Sequence, residues 1–308
     1  MAEHDDERRR TEEQVQRCYS TWGASYYDDY LGPGAPYPPV HIDLLRRLVL
    51  DSGAKTVLDA GCGPASFLRH LSADGVDLYG FDLTAEMVAE AKRVFTERSL
   101  DPSHVWQGSV LDRDAFRPRT PGAPEAFDAA VCVGVLPHVA ESSEPVLFSH
   151  LHEAVRAGGL AVVEARNQLF SLFTLNRPSY QFVRDELVRA GELTERSAEA
   201  GPIVGDALER MQAHFRMDLP AVRRGKVDEP GYDEVLSRTH NPLTLRTAFE
   251  AAGFRDVRVL FYHFHALPPM FEAAAPAWFL EASVAMERVD DWRGYFMASA
   301  FVLVGTRA

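Results

Sequence analysis

Residues Thr56-Val-Leu-Asp-Ala-Gly-Cys-Gly-Pro-Ala65 decide the fold. A short apolar strand runs into a turn holding Gly61 and Gly63, and an apolar helical pattern over 65–72 follows. The two glycines let the backbone turn sharply and approach a ligand without interference from a Cβ. Outward from this stretch the same rhythm repeats. Strands are expected at 56–60, 77–82, 104–107, 127–133 and 160–164, with helices at 85–98 and 144–157 between them. Further on come a helix at 243–252 and strands at 257–265 and 297–306. Such alternation predicts an α/β fold: a Rossmann-like, doubly wound, mostly parallel seven-stranded sheet with right-handed crossovers.

Two segments depart from the rhythm. Near the start, Val15, Tyr19, Trp22 and Tyr26 recur at i, i+4, i+7 and i+11, an amphipathic helix with an aromatic stripe. Gly32 to Pro39 breaks it, and Pro38 and Pro39 launch a helix over 42–50. Between 165 and 240 strands fail to appear, and helices at 180–190 and 203–215 suggest an inserted helical cap. The expected organisation is therefore an N-terminal helical lid at 1–50, a ligand-binding core at 51–166, a cap at 167–240 and completion of the sheet at 241–308.

Composition narrows the partners. The chain has 308 residues, 46% apolar and 25% charged, enough for a full core. A net charge of −13 disfavours nucleic acid and anionic lipid. The charged N-terminus lacks the apolar stretch of a secretory signal, and no run is apolar enough to span a membrane. Cys18, Cys62 and Cys132 lie far apart without CxxC spacing, which fits a reduced, cytoplasmic setting and no zinc site. A homo-oligomer is compatible with all of this.

Two ligand classes use a glycine turn of this kind. A dinucleotide site needs GxGxxG, but Ser66 stands where its third glycine belongs, and Asp59 would face a pyrophosphate with like charge. The Asp59 carboxylate suits a ligand with an ammonium group, such as S-adenosylmethionine (SAM). Here the chain resembles the class I SAM-dependent methyltransferases, whose first motif is roughly D/E-x-G-x-G-x-G. Asp59, Gly61 and Gly63 match, with Ala65 in place of the third glycine. The resemblance implies that Asp82 binds the ribose hydroxyls and that Leu83 flanks the adenine. It also implies that Ser109 (where an aspartate is more usual) and Val110 meet the adenine edge. Phe127 to His138 is similar to motif IV, which places Val133 and Gly134 at the strand end beside the methyl donor. Trp22-Gly-Ala-Ser-Tyr26 is similar to an N-terminal segment that folds over the cofactor, with Tyr26 contributing and Tyr27 replacing its aspartate.

Methyl transfer needs alignment and, for a hydroxyl or carbon acceptor, a proton acceptor. Glu164 and His138 end strands at the carboxyl edge and are candidate bases. His263 and His265 share one strand face by the period-two rule, and His240 precedes the Asn241-Pro242 helix start. These three histidines are the reserve catalytic candidates, and no metal is assigned to them. The cap residues Phe170, Phe173, Arg166 and Arg177 are candidates for lining the acceptor site. The expected activity is methyl transfer to oxygen or nitrogen of a small molecule, with carbon a third option. A SAM-binding regulator or partner subunit, and an NAD-dependent oxidoreductase, are the alternatives.

Overall fold

The computed structural model describes residues 2–21, 25–32, 35–118, 120–196, 200–218 and 235–308. Its sheet has seven strands: β1 Thr56–Ala60, β2 Asp77–Asp82, β3 Val105–Gln107, β4 Phe127–Cys132, β5 Val155–Arg166, β6 Phe254–Phe264 and β7 Ala298–Arg307. Their order is β3-β2-β1-β4-β5-β7-β6. The first five are parallel. β7 runs antiparallel to β5, with Leu160 opposite Thr306 and Arg166 opposite Ala300. The expected fold class is the observed one. Because the winding reverses between β1 and β4, the crevice at their carboxyl ends is the natural ligand site.

The strands read as nearly continuous apolar runs because helices cover both faces of a parallel sheet. Val57, Leu58, Val131, Val162 and Val163 have no exposed surface. Helix α1 spans Ala2–Ser20, α2 Ser25–Leu31, α3 Val40–Asp51, α4 Ala85–Glu97 and α5 Glu144–Ala154. Apolar residues at helical spacing set the buried faces: Ile42, Leu45 and Val49 on α3, and Met87, Ala91, Val94 and Phe95 on α4.

Several boundaries differ from the sequence expectation for physical reasons. The helix expected at 65–72 is a series of turns with a 3-10 turn at Leu68–His70, because Ala65 takes a left-handed φ of 56°. α5 stops at Ala154, not at 157. Val155 already pairs with Phe127, and the chain bulges before Leu160 pairs with Ala129. The single N-terminal stripe is divided between α1 and α2, and Trp22, Gly23 and Ala24 lie outside the described residues.

The chain forms two compact units. The first comprises Met1–Arg166, Val222–Leu260 and Ala300–Ala308; the second comprises Asn167–Ala221 and Phe261–Ser299. Within the second, buried Asn167 ties the two segments together. Its Nδ2 donates to the carbonyls of Gly294, Tyr295 and Ala298 at 2.8–3.1 Å, and its Oδ1 accepts from Leu169 N at 3.0 Å. The helix expected at 180–190 instead covers Arg177–Phe182 and continues as a π-turn over Val183–Leu187. That at 203–215 covers Ala200–Gln212. A helix at Pro276–Val284 escapes the periodicity because only Phe279 and Ser283 on it are buried. No helix among the described residues is long and apolar enough to cross a membrane.

Candidate active site

The turn after β1 is held by the neighbouring strand. Gly61 N and Cys62 N both donate to the Phe81 carbonyl, at 2.8 and 2.9 Å. Gly61 has φ +90°, and a Cβ there would lie 2.2 Å from Val135 Cγ2, so only glycine fits. Gly63, at φ +51°, donates its N–H to Asp82 Oδ2 at 2.9 Å. Thr84 N donates to Asp82 Oδ1, also at 2.9 Å. Two backbone amides thus orient the Asp82 carboxylate, and each oxygen keeps a further lone pair. Burial raises its pKa, and these amides oppose the shift.

Asp59, at the end of β1, is almost fully buried, and its Oδ1 has no hydrogen-bond partner among the described residues. Burial first, and then the charge of Asp82, push its pKa up to about 8. A buried acceptor without a donor is costly, and a ligand ammonium group would supply both a donor and a countercharge. The chain's residues therefore fit SAM: Asp59 for its ammonium group, Asp82 for its ribose hydroxyls, and the Gly61–Gly63 turn for close approach.

At the carboxyl end of β4, half-buried Val133 precedes Gly134, whose φ is +75°. Gly134 N donates to Glu164 Oε2 at 2.5 Å, fixing a carboxylate that lies two residues inside the end of β5 and not at it, while His138 sits in a 3-10 turn beyond β4 instead of ending that strand. Around Glu164 lie several groups within electrostatic reach. Its charge helps raise the pKa of Tyr26, after burial and Tyr30, and Asp82 adds to the same shift. It also opposes the burial that lowers the pKa of His41, in the first turn of α3.

His138 is buried, and both its ring nitrogens are engaged. Nδ1 lies 2.7 Å from the Leu236 carbonyl, and Nε2 lies 2.8 Å from the Tyr19 hydroxyl. A carbonyl only accepts, so Nδ1 carries the proton and Nε2 of the neutral ring accepts from Tyr19. Burial lowers the His138 pKa to about 4, so the ring is neutral at pH 7. Tyr19 packs edge-on against both His138 and Tyr26, at centroid distances of 5.5 and 5.8 Å. The stretch that supplies Leu236 is anchored nearby. Arg166 donates to Ser237 Oγ, Arg238 N donates to the Pro137 carbonyl at 2.8 Å, and Arg238 pairs with Glu144.

The reserve histidines divide between the two units. His240 is buried in the first unit, its Nε2 3.2 Å from Glu144 Oε1. His263 and His265 belong to the second unit, with rings stacked at 5.1 Å and 12°. His263 has φ +60°, interrupting regular strand geometry. His265 packs on Phe170 at 4.7 Å, and burial lowers its pKa to about 4. Among the described residues, no group of three or more His, Cys, Asp or Glu could hold a metal ion.

Tyr19 and His41 carry no site assignment from the sequence, whereas Gly134 stands where the motif IV resemblance places it. Tyr19 stood in the aromatic stripe, where packing was the natural reading. His41 sits one residue after a proline-launched helix start and carries no motif.

The methyltransferase-domain family model matches residues 37–259. A ubiquinone biosynthesis O-methyltransferase of Paraburkholderia phymatum is 26% identical over 194 residues, covering 56% of this chain and 78% of that protein. The same-named enzyme of Ralstonia nicotianae is 27% identical over 187 residues, covering 55% and 74%. A solved SAM-dependent methyltransferase from Clostridium acetobutylicum shares the fold at a TM-score of 0.54 and 10% identity, covering 94% of this chain and 99% of that one. With the glycine turn, Asp59 and Asp82 in place, the oxidoreductase alternative falls away, and the chain belongs to the methyltransferase-domain family of SAM-dependent enzymes.

Proposed function

We propose that this enzyme methylates a hydroxyl group of a small molecule. The observation that carries this reading is the Glu164 carboxylate, held by the Gly134 N–H at the turn after β4. Glu164 is a carboxylate able to take a proton, which a neutral amine acceptor does not need before attack. The O-methyltransferase names of the curated relatives support the same atom.

SAM supplies an electrophilic methyl group on a sulfonium. Asp59 would pair with its ammonium group, Asp82 would hold its ribose hydroxyls, and the loops carrying Leu83, Ser109 and Val110 would border its adenine. Val133 and the Gly134 turn would border the methyl. Glu164, fixed by Gly134 N–H, takes the proton of the acceptor hydroxyl as the new bond forms. His138 holds the Tyr19 hydroxyl in place, so that Tyr19 and Tyr26 orient the acceptor and exclude water. His240 serves the buried Glu144 and Arg238 network that anchors the Leu236 stretch. His263 and His265 stack on each other, and His265 packs on Phe170, within the second unit. The acidic surface favours a small acceptor over nucleic acid or membrane, and the buried free thiols of Cys18, Cys62 and Cys132 suit the cytoplasm.

Glu164→Gln tests the reading. Turnover should fall by roughly 10²–10⁴-fold, the range of general-base catalysis, while affinity for S-adenosylhomocysteine stays unchanged. Unchanged turnover would remove Glu164 from the step.

A further inference from the structure

The loops that follow β2 and β3 carry Leu83, Ser109 and Val110, and α1 is fastened to both. Gln16 Nε2 donates to the Leu83 carbonyl at 3.0 Å. One helical turn earlier, Glu12 Oε1 accepts from Ser109 Oγ at 2.5 Å and from Arg8 Nε at 3.3 Å. Glu12 and Gln16 are four residues apart, so one face of α1 reaches both loops. Ser109 Oγ also accepts from Leu111 N at 3.0 Å, which commits the hydroxyl to its own turn and to Glu12. Both bonds to Glu12 fall on Oε1. A carboxylate offers about four lone-pair sites, so Glu12 keeps acceptor capacity at the loop after β3.

We propose that Glu12, brought in by α1, is the acidic group that recognises the exocyclic amine of the adenosyl donor. Ser109 is neutral and its hydroxyl is already donated, so the charge on that edge comes from the helix. The inference rests on the adenosyl-donor reading of Asp59 and Asp82. Its chemistry is selective: a carboxylate accepts from the amine of adenine and repels the carbonyl that hypoxanthine carries at the same position. The docking of α1 and the reading of the base then share one side chain.

Calorimetry with S-adenosylhomocysteine and its deaminated counterpart, S-inosylhomocysteine, tests this on the parent, Glu12→Ala, and Glu12→Ala combined with Ser109→Asp. The parent should prefer the adenosyl ligand. Glu12→Ala should lose about tenfold to a hundredfold in adenosyl affinity, the value of a hydrogen bond to a charged group. It should lose far less for the inosyl ligand, so the preference collapses. The double variant, with a carboxylate on the same loop, should regain the preference. A preference unchanged in Glu12→Ala would overturn the proposal. So would an equal loss for both ligands that the double variant fails to reverse, since Glu12 would then only fasten α1. A parent that binds neither ligand would instead contradict the adenosyl-donor reading itself.

Discussion

Tyr19 and His138, 119 residues apart in the chain, are joined by a hydrogen bond of 2.8 Å. The bond ties the N-terminal helix α1 to the turn after β4, where the acceptor is proposed to meet the methyl group. Its polarity is set from the far side, since the Leu236 carbonyl holds the proton on His138 Nδ1.

Tyr19→Phe keeps the ring and removes the hydroxyl. Turnover should drop by about 10²-fold through loss of positioning, with affinity for S-adenosylhomocysteine little changed. Leaving Nε2 buried without a donor should cost roughly 1–3 kcal/mol in denaturant unfolding. The folded-state pKa of His138 is depressed, to about 4, so the neutral ring's contribution is present above the unfolded value and is lost as pH falls through 4. The stability gap between parent and variant should therefore narrow on acidification below about pH 6.5. A gap independent of pH would mean that the ring is not held neutral.

Asp59 gives a proton-linkage prediction. Its pKa of about 8 leaves it mostly protonated at pH 7 in the free protein. Beside a ligand ammonium group it should ionise, so binding of S-adenosylhomocysteine should release about one proton at pH 7 and progressively fewer above pH 8. Calorimetry in buffers of different ionisation enthalpy measures this directly. Asp59→Asn should abolish the release, and an undiminished release in that variant would place the proton elsewhere.

Asp82→Ala removes the acceptor of two backbone amides, Gly63 N and Thr84 N. Loss of cofactor affinity on the order of 2–4 kcal/mol is expected if both charge-assisted bonds to the ribose go. Unchanged affinity would take the ribose away from Asp82.

Gly61→Ala forces a Cβ against Val135 at a left-handed φ. Destabilisation of about 1–3 kcal/mol is expected, read by denaturant unfolding. A neutral result would mean that the turn relaxes freely.

The parts of the molecule legible in sequence are those built from local pattern. The β1 strand and its glycine turn, Asp82 at the end of β2, and the final strand Ala298–Arg307 all carry their signal within a few residues, and together they specify the sheet. Asn241 likewise caps its helix as its position before Pro242 suggests, accepting from Leu243 N at 3.0 Å. Contacts between distant segments left no such trace. Nothing near Tyr19 says that His138 lies beside it, and nothing near Glu12 points to Ser109. The left-handed residues Ala65 and His263 are equally silent, because neither is a glycine that would flag the conformation.

Methyl transfer to a hydroxyl is tested most directly by supplying SAM labelled with ¹³C in the methyl group to the enzyme with small acceptors offering hydroxyl, amine and activated-carbon nucleophiles. The label is expected in the methoxy region of the product's carbon spectrum, and in no product whose hydroxyl has been blocked. Label appearing only on nitrogen or carbon would contradict it.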